Sequence, residues 1–389
     1  MPNKTLKKWS CSRLKEITSL KQSKDEVKSL SDTQLVSFVP MECLGINKKY
    51  FNSNFEKPIK DLINKYVYFA ENDVIMAKIT PCFENGKIGI AKNLKNKIGF
   101  GSSEYLVFRP NKNVLNEYLY YYLNRNSFRE IGAQNLQGAV GHKRLSKEFI
   151  EETLIYYPAE IEEQQRIVKI LDETFENIDK AKQNALQNLN NAKDLFETTR
   201  HELFAKNTNN WQVKKMPEIA TNLDSKRIPI TKNMRISGDI PYYGASGVVD
   251  YVKDYIFDDT LLLISEDGAN LLMRTYPIAF STSGKAWVNN HAHVLKFNDL
   301  ITQKFVEYYL NSINLEQYIT GAAQPKLNQT ALNSIPIIYP PLTEQQKIVA
   351  QLDELQEQTK KLEQIYEQKI KDLDELKQSI LQKAFNGEL

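Results

Sequence analysis

The chain has 389 residues, too many for one ordinary core and enough for two domains with connecting elements. Hydrophobic residues make up 41% and charged residues 25%, the composition of a folded soluble protein, and no apolar run approaches the roughly 18 residues that a membrane span needs. The net charge of +3 hides an uneven distribution: residues 1–157 carry 25 Lys and Arg against 16 Asp and Glu, whereas 207–339 carry 12 against 12. A basic front fits attraction to phosphates, although a Lys-rich surface kept for solubility meets the charge equally well. Met1–Ser12 is polar with no apolar stretch behind it, so no secretory signal is read and a cytoplasmic location is expected. Cys11, Cys43 and Cys82 lie far apart, which gives neither a disulfide framework nor a metal knuckle and suggests buried small side chains.

In chain order, residues 1–157 contain short β-rich runs, Asp73–Ile79, Lys87–Ala91 and Glu104–Phe108, broken by Gly, Pro and Asn, then a helix over about Leu115–Leu136. Residues 158–206 read as a long helix after Tyr157-Pro158. Residues 207–339 repeat the first plan with Thr260–Ser265, Ile278–Phe280, Val294–Phe297 and a helix from about Gln303 to Ile319. Each domain then passes a Gly- and Lys-containing turn, Gly138–Arg144 and Gly321–Lys326. Residues 340–389 form a second long helix.

The two halves repeat one another. Glu163-Gln164-Gln165 and Leu171-Asp172-Glu173 recur as Glu344-Gln345-Gln346 and Leu352-Asp353-Glu354, an offset of 181 that holds to Leu195 and Phe204 against Leu376 and Phe385. The domains also open alike, Trp9, Leu14, Glu16 and Ile17 matching Trp211, Met216, Glu218 and Ile219. A heptad seam is expected through Ile348, Leu352, Leu355, Thr359, Leu362, Tyr366, Lys369, Leu373, Leu376 and Ile380. Its counterpart runs through Ile167, Leu171, Thr174, Ile178, Ala181, Ala185, Asn188, Ala192, Leu195 and Thr199. Small side chains in one copy against large ones in the other suggest that the two rods pair within the chain. Such a rod, at about 1.5 Å per residue, spans roughly 60 Å. The expected architecture is α+β: two similar domains joined by two long helices that form an antiparallel intramolecular coiled coil.

Several strings carry a family resemblance. In the first domain they are Val36–Met41, Ala77-Lys-Ile-Thr-Pro-Cys-Phe-Glu-Asn-Gly-Lys87 and Gly99-Phe-Gly-Ser-Ser-Glu-Tyr105; in the second, Ile240–Gly247, Ile264–Asn270 and Ser281-Thr-Ser-Gly-Lys-Ala-Trp287; at the end, Ala384–Leu389. With the duplicated helices they resemble the DNA-specificity subunits of type I restriction-modification enzymes. The resemblance implies two target-recognition domains, each reading one half of a bipartite double-stranded DNA target with an unspecified gap. It also implies paired helices that set the gap and dock two adenine-methyltransferase subunits, which restriction (motor-nuclease) subunits join. Methyl donor and ATP would then be held by those partners, leaving this chain without cofactor or catalysis. A coiled-coil protein scaffold without DNA specificity, and a reader working with one fused methylase-nuclease, are the alternatives.

The residues themselves offer little chemistry. Tyr339-Pro340-Pro341-Leu342 lacks both the amide and the aromatic end of an amino-methyltransferase motif. Ser283-Gly284-Lys285 fails as a phosphate loop, because Ala279 and Ala286 replace the first glycine and the Ser/Thr. No Cys or carboxylate stands at ligand spacing beside His291 and His293, so no metal is expected. For DNA contact, polar side chains on glycine-bearing turns are the candidates: Lys78, Asn85, Lys87, Ser102, Ser103, Lys143 and Arg144 in the first domain. Tyr243, Ser246, Arg274, Ser283, Lys285 and Lys326 are those of the second. Phe83, Phe100 and Trp287 are read as core. Ile167, Leu171, Ile178 and Leu195, with Ile348, Leu352, Leu355, Leu362, Leu373 and Leu376, are the residues expected to pair the helices or meet partners.

Overall fold

The computed structural model describes residues 9–139, 141–205, 211–321 and 323–389. The expected boundary at 206/207 lies outside them, as do Val140 and Ala322 of the two glycine-bearing turns. Contacts divide the chain into two units, residues up to Asn184 together with Lys369–Leu389, and Ala185–Gln368.

The first unit is built on two sheets. One runs in the order Thr18–Ser19, Tyr105–Pro110, Val74–Ala77, Ile88–Ala91 and Tyr50–Phe51; the other in the order Glu56–Pro58, Leu35–Val39, Ile98–Gly101 and Val67–Ala70. Leu35–Val39 and Ile98–Gly101 run parallel. The strand Val74–Ala77 is buried along its whole length, which explains its unbroken apolar sequence. Gly99 lets the sheet close over an aromatic ring, since a Cβ there would lie 2.2 Å from Phe69. Phe83 and Phe100 are core residues, as expected.

The helix expected over Leu115–Leu136 is two helices, Asn116–Leu123 and Asn126–Gln134. Arg125 between them is extended, its guanidinium stacked 3.6 Å from the Tyr122 ring centroid, and Arg129 Nη1 donates to both Asn124 O and Asn124 Oδ1. Those side-chain bonds stabilise the break where periodicity alone would continue the helix. The cysteines also depart from expectation: Cys11 is exposed, and Cys43 and Cys82 are half-buried thiols.

The first rod is the helix Ile161–Ala205 and the second is Leu342–Phe385. In the first unit, the start of one rod runs antiparallel to the end of the other: Arg166 donates to Leu389 O (2.7 Å), Lys377 meets Asp179 (2.9 Å) and Lys182 meets Asp374 (2.6 Å). Such exposed pairs fix register more than they stabilise. The stabilisation comes from Ile167, Leu171, Phe175 and Ile178 packed in one core with Leu381, Ala384 and Phe385.

The second unit repeats the plan. Its sheets run Ala220–Asn222, Ala292–Phe297, Leu261–Ser265, Ala279–Thr282 and Gly247–Val252, Ser237–Gly244, Lys285–Val288, Phe257–Asp258, with Ser237–Gly244 parallel to Lys285–Val288 as Leu35–Val39 is to Ile98–Gly101. Its helix is Leu300–Ser312, begun where the Asp299 carboxylate accepts from Thr302 N (2.8 Å). Phe196 and Phe204 from the first rod share a core with Ile348 and Leu352 from the second.

The repeated strings now have physical reasons. Tyr121 and Tyr308 donate to Asp172 and Asp353, the aspartates of the two Leu-Asp-Glu strings. The buried glutamines of Glu-Gln-Gln hold the proline turns, Gln164 Nε2 donating to Pro158 O (2.9 Å) and Gln345 Nε2 to Pro340 O (2.9 Å). Gln164 also donates to Asn113 O and accepts from Leu115 N, whereas Gln345 Oε1 finds no donor among the described residues. Gln164→Ala should therefore cost at least ~2 kcal/mol, and clearly more than Gln345→Ala, because it strands more buried groups. Equal losses in urea denaturation would contradict this.

One expectation about the seam fails in both rods. Ile178, Ala185 and Ala192 are buried as expected, but Phe175 and Phe196 are buried in place of Thr174 and Leu195. Leu195 is 55% exposed, and Leu376 (46%) and Leu362 (39%) likewise face outward, so none of the three pairs the helices. The cause is competition for the same stripe. Phe175 packs edge-on against Tyr121 and Phe196 against Tyr308, so the first rod turns one aromatic toward the domain in each unit. A residue one position earlier, about 100° away on a helix, is then turned outward. Ile167, Leu171, Ile348 and Leu352 are buried, and Leu355 and Leu373 are half-buried.

Candidate nucleic-acid interface

In the first unit, the fold brings three of the chosen segments to one place. Lys78 follows directly on the strand Val74–Ala77; its N–H donates to Glu104 O (2.9 Å) and its carbonyl accepts from Leu145 N (2.9 Å). Thr80 N donates to Lys143 O and Lys143 N to Thr80 Oγ1, which ties the Gly138–Arg144 turn to the strand end. Arg144 grips Glu104 through Nε (2.9 Å) and Nη2 (2.7 Å). That hydrogen bond, with the nearby charges of Arg144, Lys78 and His142, outweighs a small burial penalty and holds the Glu104 carboxyl below its usual range. Arg144, Lys78 and His142 thus bring their charge to one carboxylate that sequence reading passed over, although Glu104 stands inside the quoted Ser-Ser-Glu string.

Ser103 and Asn85 are exposed, and Ser102 Oγ accepts from Glu104 N (3.2 Å). Lys87 is different: its ammonium donates to Met41 O (2.8 Å) and is half-buried, so it braces the fold and is withdrawn as a DNA contact.

The second unit builds the same junction from other residues. Glu266 follows the strand Leu261–Ser265; its N–H donates to His291 O and its carbonyl accepts from Leu327 N. Lys326, on the glycine-bearing turn, places Nζ 3.2 Å from Glu266 Oε1. Glu266 therefore occupies the place of Lys78, His291 that of Glu104 and Lys326 that of Arg144. Neither Glu266 nor His291 follows from charge counting; the duplicated strands mark both positions.

Behind this junction lies a charged cluster. His293 Nδ1 is 2.6 Å from Asp224 and Nε2 is 2.7 Å from Leu327 O, while Arg227 Nη1 is 2.6 Å from Glu266. Asp224, Glu266 and His293 each present an atom within 4.8 Å of the others, so carboxylates distant in sequence do reach a histidine. Arg227 and Lys326 engage the same carboxylates, however, which makes the group an ion-pair network and a poor cation site. Burial alone would raise the Asp224 carboxyl, but the His293 hydrogen bond and charge, with Val294 N, hold it below the usual range. A depressed carboxyl stabilises the fold above its unfolded value and loses that contribution as pH falls through the folded value. Asp224→Asn should flatten the acid limb of second-unit stability below about pH 4, read by urea titration; an unchanged limb would show that another group sets it.

The other choices in this unit are scattered. Ser246 is exposed in the Gly244–Gly247 turn, Ser283 Oγ lies 3.1 Å from Thr260 Oγ1, and Lys285 stands over the Tyr255 ring. Tyr243 accepts from Thr282 Oγ1 and packs on Phe280, and Trp287 is half-buried with Nε1 donating to Ile228 O. Arg274 donates to Ile313 O (2.8 Å) and Leu310 O (3.4 Å), where it satisfies the carbonyl end of the helix Leu300–Ser312. Tyr243 and Arg274 are thus occupied in the fold, and both are withdrawn as DNA contacts.

No helix of the described residues is long and apolar enough to cross a membrane. The family profile for the type I restriction modification DNA specificity domain matches residues 7–188 and again 208–372. The specificity subunit of the Escherichia coli type I restriction enzyme EcoAI is 35% identical over 185 residues, 47% of this chain and 31% of that one. The corresponding E. coli EcoEI subunit is 32% identical over 194 residues, 49% of this chain and 32% of that one. These matches span about a third of the relatives' own length. A chain from a structural study of complex assembly in a type I R-M system superposes with a TM-score of 0.83 at 20% identity over 100% of both chains. The HsdS subunit from Thermoanaerobacter tengcongensis gives 0.64 at 20% identity, covering 100% of this chain and 99% of that one. At such identity the likeness establishes a shared fold.

Proposed function

Because the chain belongs to the type I restriction-modification DNA specificity family, we propose that it is the non-catalytic DNA reader of such a complex. It recognises a bipartite target with an unspecified gap and positions adenine-methyltransferase and restriction subunits on it. Methyl donor and ATP are held by those partners. The observation that carries this reading is the doubled junction: one strand-end and turn geometry presents Lys78, Glu104 and Arg144 in the first unit and Glu266, His291 and Lys326 in the second. Equal scaffolds with unlike side chains suit two different half-targets, since phosphate contacts position a protein and side chains at base edges specify the sequence.

The expected behaviour is a division of labour. The purified chain alone neither methylates nor cleaves DNA, and the complex recovered with the tagged chain retains duplex DNA in a salt-sensitive manner. Methylation by the chain alone, or a complex indifferent to DNA, would overturn the assignment.

A further inference from the structure

Beside the first unit's junction lies a cleft of about 590 Å³ lined by five cationic side chains, Lys15, Lys21, Lys78, Arg144 and Lys147, and one carboxylate, Glu151. Two further acids answer part of this charge, Glu104 on Arg144 and Glu152 on Lys15, and Glu151 answers Lys147. Lys21 and Lys78 have no ion-pair partner among the described residues, so the cleft keeps an excess of positive charge. It is assembled from separate parts of the chain: the segment Lys15–Lys21, the end of the strand Val74–Ala77 and the turn leading into the helix Lys147–Glu152. The place equivalent to Lys78 in the second unit is taken by Glu266, already matched with Arg227 and Lys326.

We propose that this cleft holds the sugar-phosphate backbone of duplex DNA, with Lys21 and Lys78 as positioning residues, so that the two units share electrostatic anchoring unequally. The inference rests on the DNA-reading function above and deepens it. The first unit supplies salt-dependent grip through unpaired ammonium groups that displace counterions from phosphate. The second unit, whose cations at the equivalent junction are matched by carboxylates, contributes recognition with little net counterion release. Lys15, Lys21 and Lys147 escape sequence reading because they stand outside the glycine-bearing strings and reach the site only through the fold.

The test is the salt dependence of binding, measured on the complex that co-purifies with the full chain. The probes are a duplex containing its target and a scrambled duplex of equal length. With Lys21→Gln and Lys78→Gln combined, the slope of log K against log salt should become shallower by roughly 1.8, about 0.9 for each lost phosphate contact. Affinity should fall for both duplexes by a similar factor, so that preference for the target is kept. Lys326→Gln in the second unit, whose charge Glu266 already matches, should change the slope by far less than either first-unit lysine, whatever it does to target preference. Both variants are exposed or half-buried, and an unaltered melting temperature serves as the folding control. An unchanged slope in the double variant, with target preference intact in the parent complex, overturns the cleft and leaves the reader standing. A parent complex that does not prefer any duplex overturns both.

Discussion

Phe385→Ala should destabilise the first unit by about 3–5 kcal/mol, the range for removing a buried phenylalanine ring. The ring lies edge-on to Tyr118 and Tyr122, both centroids 5.1 Å away, with the Arg125 guanidinium over it, and it is 5% exposed. It belongs to the last turn of the second rod, so this one side chain joins the end of the chain to the domain near its start. Phe204 does the same in the second unit, against Phe305 (5.4 Å) and Tyr309 (5.5 Å). Phe204→Ala should cost a similar amount. Hydrogen exchange distinguishes the two: Phe385→Ala should deprotect Asn116–Leu123, and Phe204→Ala should deprotect Leu300–Ser312. A loss below about 1 kcal/mol at either position would mean that the neighbouring aromatics close the gap, and that the rods are not held by these rings.

The second large effect concerns target choice. Four residues inserted between Asn184 and Ala185 add about 6 Å of helix, a little over one turn. The rod there is helical without interruption and contains no glycine or proline. Methylation at the original split target should be lost, and the same two half-sites should be methylated with a longer gap. Half-site identity should be unchanged because every residue of the two strand-end junctions is left in place. A variant that kept the original gap, or that read altered half-sites at the new one, would refute the idea that the rods act as a ruler.

Much of the architecture was legible because duplication leaves a strong trace in sequence. The 181-residue offset revealed two rods of nearly equal length, and the observed helices contain 45 and 44 residues. What periodicity could not resolve was the rotation of each rod. Leu195 and Leu376 fit a heptad as well as Phe196 and Lys377 do, and only the tertiary contact of Phe196 with Tyr308 decides between neighbouring residues. The break at Asn124–Arg125 was hidden for the same reason, since it depends on Arg129 folding back onto Asn124.

The candidate interface was read only in part. Lys78 and Arg144 were legible as cations on turns, but the carboxylate between them was not, because residue type does not reveal a partner some 40 positions away. Lys87 and Arg274 were misread by the same criterion. Both are basic residues in the quoted turn-bearing segments or close after them, and both commit donors to main-chain carbonyls inside their own unit. Position on a turn signals exposure; which donors stay free is settled by packing.

The most direct test of the central claim is methylation-sensitive sequencing of the host genome with this gene intact and with it deleted. A split methyladenine motif present in the first genome and absent from the second is the predicted result, and it would name both half-sites and the gap. A split motif that persists after deletion would show that its reader lies elsewhere and would contradict the assignment.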